Sequence, residues 1–454
     1  MMMPNSLPRI KRFCRSLGQN AHVQGFLVRM LAAFVMHAGR MSATQAAGAI
    51  RTESRHRAAV IRFLARLGMS KDWSLLAQVA DLVLEGEQRR GGTWVFIVDQ
   101  TYCGQQGQKT ENTFSRANYR PRAKKSQRRQ KKYAKRSCHG FVMGLLLTPS
   151  GLRIPCFRSY YTEAHCQQEH KAYRTQTELA AELIRRVALP VGADVVVLGD
   201  TAFDADTIRA ACVERGFSWI VPINPERVLA GAQGQRAKVW SLVDNLSAKQ
   251  FAPVRLAPGH GSFVAMRRAA RCRLGPKMKT RTFYVHRERR VVHSVGEVQL
   301  VFSTKVKPQK GKPVAVQKIL MTNDHQRSAA TLVELYALRW QIELFFKELK
   351  STLGWHQYRF RRFTKVEGWT IACLFTFLYL EWYRSQHLRQ RRLTAKETPW
   401  WRWQRTYGLC QAVRQDADDM EIHRLAEWTR TRGGIKKLKK HMRAAVPAEY
   451  RKAC

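Results

Sequence analysis

The chain has 454 residues, too many for one compact core, so it should divide into roughly two to four domains. Lysine and arginine number 80 against 33 acids, and the resulting formal charge of +47 exceeds what solubility requires and indicates a polyanionic partner. The longest strongly apolar run, 370–380, is too short to span a bilayer, so nucleic acid is favoured over a membrane as that partner.

Two further features concern the compartment. The first residues lack the basic, apolar and small-residue order of a signal peptide, which predicts an intracellular protein. Ten cysteines occur without a Cys-x-x-Cys pair, so they predict small buried thiols rather than a zinc ribbon or a disulfide framework.

Residues 1–90 predict a helical DNA-binding region. Helices predicted at 42–50 and 54–67, with a break at 51–53, have helix-turn-helix spacing. The second helix would turn Val60, Ile61 and Leu64 inward, and its basic residues would face DNA: Arg55, His56, Arg57, Arg62 and Arg66. Short basic helices in a helical bundle have the same pattern, so that alternative stays open.

The pattern changes after residue 91 to that of a catalytic core, with strands predicted at 93–98, 140–147 and 152–157 and a helix at about 167–188. A strand at 195–198, a helix at 204–215 and a strand at 218–223 follow. This order is typical of an RNase H-like mixed β-sheet flanked by helices, so the sequence predicts an α/β fold whose core begins at 91–224.

The second half of the chain predicts three regions. Residues 225–318 are rich in valine, arginine and turn residues and predict a β-strand insertion into the core. Residues 319–384 complete the core, with one long helix at about 328–351, and residues 385–454 form a basic helical region. Its tryptophans, Trp400, Trp401 and Trp403, suit burial in a helical or dimerisation module better than stacking on bases.

Asp99 and Asp200 each follow an apolar strand. A carboxylate at the carboxyl end of a strand lies at a sheet edge, where ligands and metals bind. The alternative for each is an ordinary turn or helix-cap residue. Asp204 and Asp206, at the start of a predicted helix, illustrate that alternative because acids there complement the helix dipole.

A third acid lies in a longer motif. At about 100° per residue, one helix face carries Tyr336, Arg339, Glu343, Lys347 and Lys350. The apolar residues form a separate stripe that would dock on a core: Leu335, Leu338, Ile342, Phe345 and Leu349. An ordinary amphipathic helix with an Arg339 to Glu343 ion pair has the same geometry.

The Tyr-x2-Arg-x3-Glu-x6-Lys spacing, downstream of two strand-ending aspartates, resembles bacterial insertion-sequence transposases with a DDE triad and a YREK signature. The resemblance covers about residues 93–376. It implies an RNase H-like core with a β-strand insertion, which accounts for the 143 residues between Asp200 and Glu343. Some relatives carry a tryptophan upstream of the signature tyrosine that supports a hairpin intermediate, and 241–338 contains none.

The resemblance also implies the activity and its residues. Asp99, Asp200 and Glu343 would bind two divalent ions, Mg²⁺ or Mn²⁺, while Tyr336, Arg339 and Lys350 would contact phosphates of the transposon end. Lys347, on the same helix face, is a further candidate for DNA contact. The expected reaction is cleavage at transposon ends and strand transfer into target DNA. The expected partners are double-stranded terminal inverted repeats and target DNA, bound by a homodimer when the ends are paired. A cytoplasmic, nucleoid-associated location is expected.

The chemistry explains the residue types. Phosphodiester cleavage needs a nucleophile at neutral pH and neutralised oxygens, which two metal ions about 3.5 to 4 Å apart provide. Carboxylates are the ligands that hard Mg²⁺ prefers. Two alternatives stay open: an RNase H-like nuclease without strand transfer, and a basic nucleic-acid-binding protein without catalysis.

A second set of residues has the donor types of a zinc site. His165, Cys166, Glu169 and His170 are potential zinc ligands, but no second cluster pairs with them and the segment resembles a helix start. We therefore expect a structural role there.

The segment 116–136 is the most biased part of the chain, with 11 of 21 residues Lys or Arg and none acidic. Such a run is either a solvated loop or a loop that grips DNA. If it grips DNA, replacing Lys124, Lys125, Arg128 and Arg129 with glutamine should lower the slope of log affinity against log salt by about 0.9 per lost phosphate contact. A folded variant with the parent's slope in DNA-binding titrations would identify a solvated loop.

Overall fold

The computed structural model describes residues 8–36, 56–69, 74–87, 91–104, 110–117, 135–230, 236–256, 281–389 and 405–416, with 429, 433, 434 and 436. The chain forms two compact units. The first contains residues 1–82, 348–384 and 404–454, and the second contains 83–347 and 385–403.

The helices are, in chain order, α1 (Pro8–Ser16), α2 (Ala21–Met36), α3 (His56–Met69), α4 (Ser74–Leu84), α5 (Glu163–Gln168), α6 (Gln176–Arg186), α7 (Asp206–Glu214), α8 (Ser241–Asp244), α9 (Ala329–Ala337), α10 (Trp340–Ser351) and α11 (Phe363–Arg389). A helical segment follows at 406–416. Within the described ranges, no helix is both long and apolar enough to cross a membrane.

The strands belong to one sheet of the second unit: β1 (Thr93–Gly104), β2 (Phe114–Ala117), β3 (Lys135–Leu147), β4 (Arg153–Tyr160), β5 (Asp194–Leu198), β6 (Ser218–Pro222), β7 (Val228–Ala230), β8 (Arg236–Lys238), β9 (Ala252–Leu256), β10 (Arg281–Val292), β11 (Gly296–Thr304) and β12 (Lys318–Thr322). Their order is β2-β3-β1-β5-β6-β12-β11-β10-β7-β8, and β4 also pairs with β3 and β9 with β10. Strands β1, β5 and β6 are parallel, and the remaining pairs are antiparallel.

The centre of this sheet is buried on both faces. Phe96, Ile97 and Val98 are fully buried although successive side chains of a strand point to opposite faces. Helix α6 packs on β1, β3 and β4, and α7 packs on β6. A continuous apolar run is the pattern expected of a parallel strand covered on both sides, which explains why β1 forms here.

The predicted α/β fold class is confirmed. Strands β1, β3 and β4, helix α6, and then β5, α7 and β6 occur in the expected order, with the short β2 and α5 in addition, consistent with an RNase H-like core. The segment predicted as a β-strand insertion contains β7 to β11, which continue the core sheet from β12 through β11 and β10.

The single helix predicted at 167–188 is wrong, because the structure has two helices there, α5 and α6. His170 has a φ of 50°, a left-handed conformation that ends a helix. Thr175 then begins α6 with a capping box to Glu178, in which each side chain meets the other residue's backbone N–H. These local contacts outweigh the continuous helical pattern of the sequence.

The first unit is helical and has an aromatic core. Phe13 of α1 lies 4.9 Å from Tyr379 and 4.8 Å from Trp382 of α11, measured between ring centroids. Helix α3 buries Val60 and Leu64 and exposes Arg62 and Arg66, as its pattern predicted. The predicted helix at 42–50 lies outside the described residues.

Two glycines allow the backbones of α3 and α11 to touch. A Cβ on Gly368 of α11 would overlap the carbonyl oxygen of Leu64, and a Cβ on Gly68 of α3 would overlap the carbonyl oxygen of Thr364. Any larger residue must separate the helices, because backbone atoms cannot move aside as a side chain can. The packing of this unit therefore depends on glycine at both positions.

We predict that Gly368→Ala destabilises the protein by about 1–3 kcal/mol through overpacking, and lowers the melting temperature by several degrees. Gly25→Ala on α2 is the matched control, because a Cβ there meets no atom within 4 Å. That control should be neutral or stabilising by up to about 1 kcal/mol, as alanine favours helix. Equal melting temperatures for the two variants in calorimetry would contradict the close contact.

Candidate active site

The parallel pairing of β1 with β5 sets Asp99 beside Asp200. Thr93 pairs with Asp194 and Ile97 with Leu198, a constant offset of 101 residues. Continuing that offset by two residues brings Asp99 opposite Asp200, where neighbouring strands are about 4.8 Å apart. Their proximity is expressed in the pKa of the Asp99 carboxyl, which the charge of Asp200 helps to raise.

The expectation that Asp99 ends its strand is wrong, because β1 continues to Gly104. The antiparallel partner β3 pairs with β1 from Val95 to Gly104, whereas β5 stops at Leu198. Asp99 therefore lies where the parallel neighbour ends and the antiparallel neighbour continues. This still places its carboxylate at the carboxyl edge of the parallel strands.

Asp200 also serves as a local cap. It precedes a 3₁₀ turn at Thr201–Phe203, and its carboxylate accepts a hydrogen bond of 2.9 Å from the backbone N–H of Ala202. The cap role and the position beside Asp99 thus occur together. Asp206 lies in the first turn of α7, as predicted, and Asp204 is buried in ion pairs with Arg209 and Arg227.

The predicted single helix at 328–351 is wrong, because the structure turns at 338–339 between α9 and α10. The backbone there makes i to i+3 hydrogen bonds, such as Arg339 N–H to the Tyr336 carbonyl and Ile342 N–H to the Arg339 carbonyl. Such bonds tighten the helix to about three residues per turn. The five residues predicted on one helix face therefore do not share the face of one regular helix.

Arg339, at this turn, joins two of the three acids. Its guanidinium lies 3.3 Å from Oδ2 of Asp99 and 3.8 Å from Oε1 of Glu343. The Asp99 side chain is 8% exposed and that of Glu343 is 40% exposed. Arg339 therefore neutralises a buried and a partly exposed carboxylate at once.

Burial raises the pKa of Asp99 from 3.8 to about 7, with a further contribution from Asp200 and a smaller one from Glu343. The backbone N–H of Gln100, 2.7 Å from Oδ1, and the charge of Arg339 act in the opposite direction. Asp99 is therefore partly protonated at neutral pH. A carboxyl in this state releases its proton readily when further positive charge arrives.

Tyr336 and Lys318 border the acids. Tyr336 is 8% exposed, and burial raises the pKa of its phenol to about 12. The ammonium of Lys318 lies 4.9 Å from the centroid of the Tyr336 ring. Sequence reasoning missed Lys318, whose only signal is its position at the start of the short apolar strand β12.

Two of the remaining residues predicted to contact DNA, Lys347 and Lys350, lie on α10. Lys347 is exposed on α10. The ammonium of Lys350, in the last turn of α10, lies 5.9 Å from the ring centroid of Trp355. Arg55, Lys124, Lys125, Arg128 and Arg129 lie outside the described residues, as does the side chain of Arg57. Their roles stay predictions.

The donors at this edge suit a hard metal ion, because Asp99, Asp200 and Glu343 offer carboxylate oxygens alone. Burial and then the charges of Asp200 and Glu343 raise the pKa of Asp99, and a divalent ion would offset the repulsion between these acids. In the described parts of the chain, no three His, Cys, Asp or Glu side chains converge closely enough to hold an ion together. Arg339 instead connects two of the acids.

The donor-rich segment around His165 is structural in its contacts. The His165 ring stacks on Tyr161 at 5.5 Å between centroids, and the Cys166 thiol is 3.8 Å from the Ala172 carbonyl oxygen. The backbone N–H of His165 donates to the Thr162 hydroxyl that caps α5. These contacts agree with a helix start.

Comparison with known proteins gives one family. A family model described as "Transposase DDE domain" matches residues 90–379, which is 290 of the 454 residues. It contains the sheet from β1 to β12 and all three acids. No curated protein matches the chain.

The raised pKa of Asp99 predicts how stability depends on pH. Between its ordinary pKa of 3.8 and about 7, the folded protein binds more protons at Asp99 than the unfolded chain, so this residue's contribution to stability falls as pH rises. Asp99→Asn should have the parent's melting temperature near pH 4 and a higher one at pH 8. At pH 8 its free energy of unfolding should exceed the parent's by on the order of a few kcal/mol.

The control is Asp244→Asn, at an exposed acid at the end of α8. It should follow the parent at both pH values, which separates Asp99 from the effect of net charge. A difference between Asp99→Asn and the parent that stays constant from pH 4 to pH 8 would contradict the raised pKa.

Proposed function

The chain belongs to the transposase DDE domain family, and from this premise we propose that it cleaves DNA at the ends of a mobile element and joins the ends to a target. The family makes the protein a DNA-binding transposase. The proposal adds cleavage at both ends, strand transfer and the residues that act. The observation that carries it is the strand register that brings Asp99 opposite Asp200, with Glu343 tied to Asp99 through Arg339.

Asp99, Asp200 and Glu343 are proposed to hold divalent ions, Mg²⁺ or Mn²⁺. When bound, such ions supply a nucleophile at neutral pH and neutralise charge on the attacking and leaving oxygens. Asp99 contributes a carboxyl that gives up its proton near pH 7. Glu343, the most exposed of the Arg339 partners, keeps one carboxylate accessible to solvent.

Arg339 and Tyr336 are proposed to hold the DNA strand that reacts. A guanidinium binds phosphate with two parallel N–H donors, the same geometry with which it binds carboxylate. Because the pKa of Tyr336 is about 12, its phenol keeps the proton at neutral pH and remains a hydrogen-bond donor for a phosphate oxygen. Both side chains can therefore position the phosphate chain beside the acids.

Other parts of the chain are also proposed to bind the element's ends. Helix α3 exposes Arg62 and Arg66 on the side opposite its buried residues, as expected of a helix that faces DNA. Lys347, Lys350 and the basic segment 116–136 would add phosphate contacts. Pairing of two ends would require two copies of the chain, and we propose a homodimer in that complex.

We predict that Asp99→Ala, Asp200→Ala and Glu343→Ala each reduce Mg²⁺-dependent cleavage of terminal-repeat DNA by more than about a hundredfold. Loss of a residue that only supports a metal ligand lowers activity by about 10- to 100-fold, so a direct ligand should cost more. End binding should be retained, because phosphate contacts outside the acids are intact. The assay uses purified protein and a duplex copied from the inverted repeats that flank the coding region.

Asp206→Ala is the control, since this acid is exposed in the first turn of α7 and lies outside the group of three. It should cleave as the parent does. Near-normal cleavage by any of the three variants would remove that residue from the proposed site. Cleaved ends without joined products would indicate a nuclease, and binding without cleavage by the parent would indicate a non-catalytic DNA-binding protein.

A further inference from the structure

Lys318 is brought to the edge of the acids by the topology of the sheet. Strand β6 runs parallel to β5, and β12 runs antiparallel to β6, with Leu320 opposite Pro222. The start of β12 therefore lies at the same edge as the carboxyl ends of β5 and β6. The backbone N–H of Ile223 donates to the Ile319 carbonyl at 3.0 Å and fixes this end of β12.

The ammonium of Lys318 is affected by the charges of two cations and one carboxylate. Its pKa is lowered from the ordinary value by partial desolvation and then by the charges of Arg339 and Lys305, while Asp200 acts in the opposite direction. Among the residues that the structure describes, its contact is the face of the Tyr336 ring, and it makes no hydrogen bond or ion pair. The two cations act more strongly on Lys318 than the one carboxylate, so a bound anion would be attracted to this position.

We propose that Lys318 binds a backbone phosphate of the DNA strand that Tyr336 and Arg339 hold. The inference rests on the proposed function and adds a residue outside the YREK signature. The Tyr336 ring orients the lysine stem through the cation–π contact, and the exposed side chain leaves its N–H donors accessible to a ligand. Proximity to the acids favours DNA phosphate over other anions, because the reacting strand must pass this edge.

A simpler role for Lys318 is to neutralise Asp200. That role predicts a changed pH dependence and stability without a changed DNA contact, since the attraction to Asp200 operates within the free protein. A phosphate contact predicts the opposite: a loss confined to DNA binding and its salt dependence. The two roles are therefore separable by experiment.

The test compares Lys318→Met, which keeps the stem over Tyr336 and removes the charge, with Lys318→Arg, which restores a cation. Lys312→Met, at an exposed lysine of the preceding loop, is the matched control. Binding of the full chain to the terminal-repeat duplex is measured over a range of salt concentrations. Melting temperatures establish that each variant is folded.

We expect Lys318→Met to weaken binding by about tenfold or more and to lower the log-log salt slope by about 0.9, the value for one phosphate. Lys318→Arg should recover most of the loss, and Lys312→Met should bind as the parent does. The inference would be overturned if Lys318→Met had the same salt slope as the parent, or if Lys312→Met lost as much DNA affinity as Lys318→Met. If Lys318→Met does not fold, Lys318→Gln provides the same comparison.

A second measurement identifies the contact. The duplex is made with a neutral methylphosphonate in place of single phosphates near the cleavage point. At one position the parent should lose affinity while Lys318→Met loses no more, since the two changes remove the same interaction. Additive losses at every position would overturn the direct contact. Failure of the parent to cleave would reject the proposed function, whereas these binding results judge Lys318 separately.

Discussion

The candidate site depends on one constraint, the register of the parallel pair β1 and β5. The paired segments, Thr93 to Ile97 and Asp194 to Leu198, lie in the centre of the sheet, where apolar side chains are buried on both faces. With Ile97 opposite Leu198, Asp99 and Asp200 must be neighbours just beyond the paired residues. The hydrophobic energy of the sheet thus supports an arrangement of two acids that electrostatics alone would disfavour.

That electrostatic cost is visible in the pKa of Asp99, raised to about 7 by burial and then by its acidic neighbours. Arg339 reduces the cost by contacting Asp99 and Glu343 together. A group of acids that needs both a core to hold it and a cation to balance it stabilises nothing by itself, and sites of this kind are characteristic of function rather than of folding.

Sequence patterns predicted what local runs determine and missed what distant partners determine. Strands β1 and β5 and the positions of Asp99 and Asp200 after their apolar runs could be predicted because each run is continuous. The extension of β1 to Gly104 could not, because it depends on pairing with β3, a strand that begins only at Lys135. The position of Lys318 near the acids could not be predicted either. It depends on the strand order β5-β6-β12, which a single lysine before a short strand does not indicate.

The turn at 338–339 determines which acids Arg339 contacts. On one regular helix, Arg339 and Glu343 would form an ordinary i to i+4 pair, and a contact with Asp99 would depend on where the helix docks. The i to i+3 bonds place Arg339 between α9 and α10, where its guanidinium reaches Asp99 of the sheet and Glu343 of the next helix. Lys318 adds a second cation near Asp200, and it makes no ion pair among the described residues. Arg339 contacts two of the acids, and Lys318 provides a further positive charge near them. Such a surface is suited to a phosphate chain that lies across a group of carboxylates.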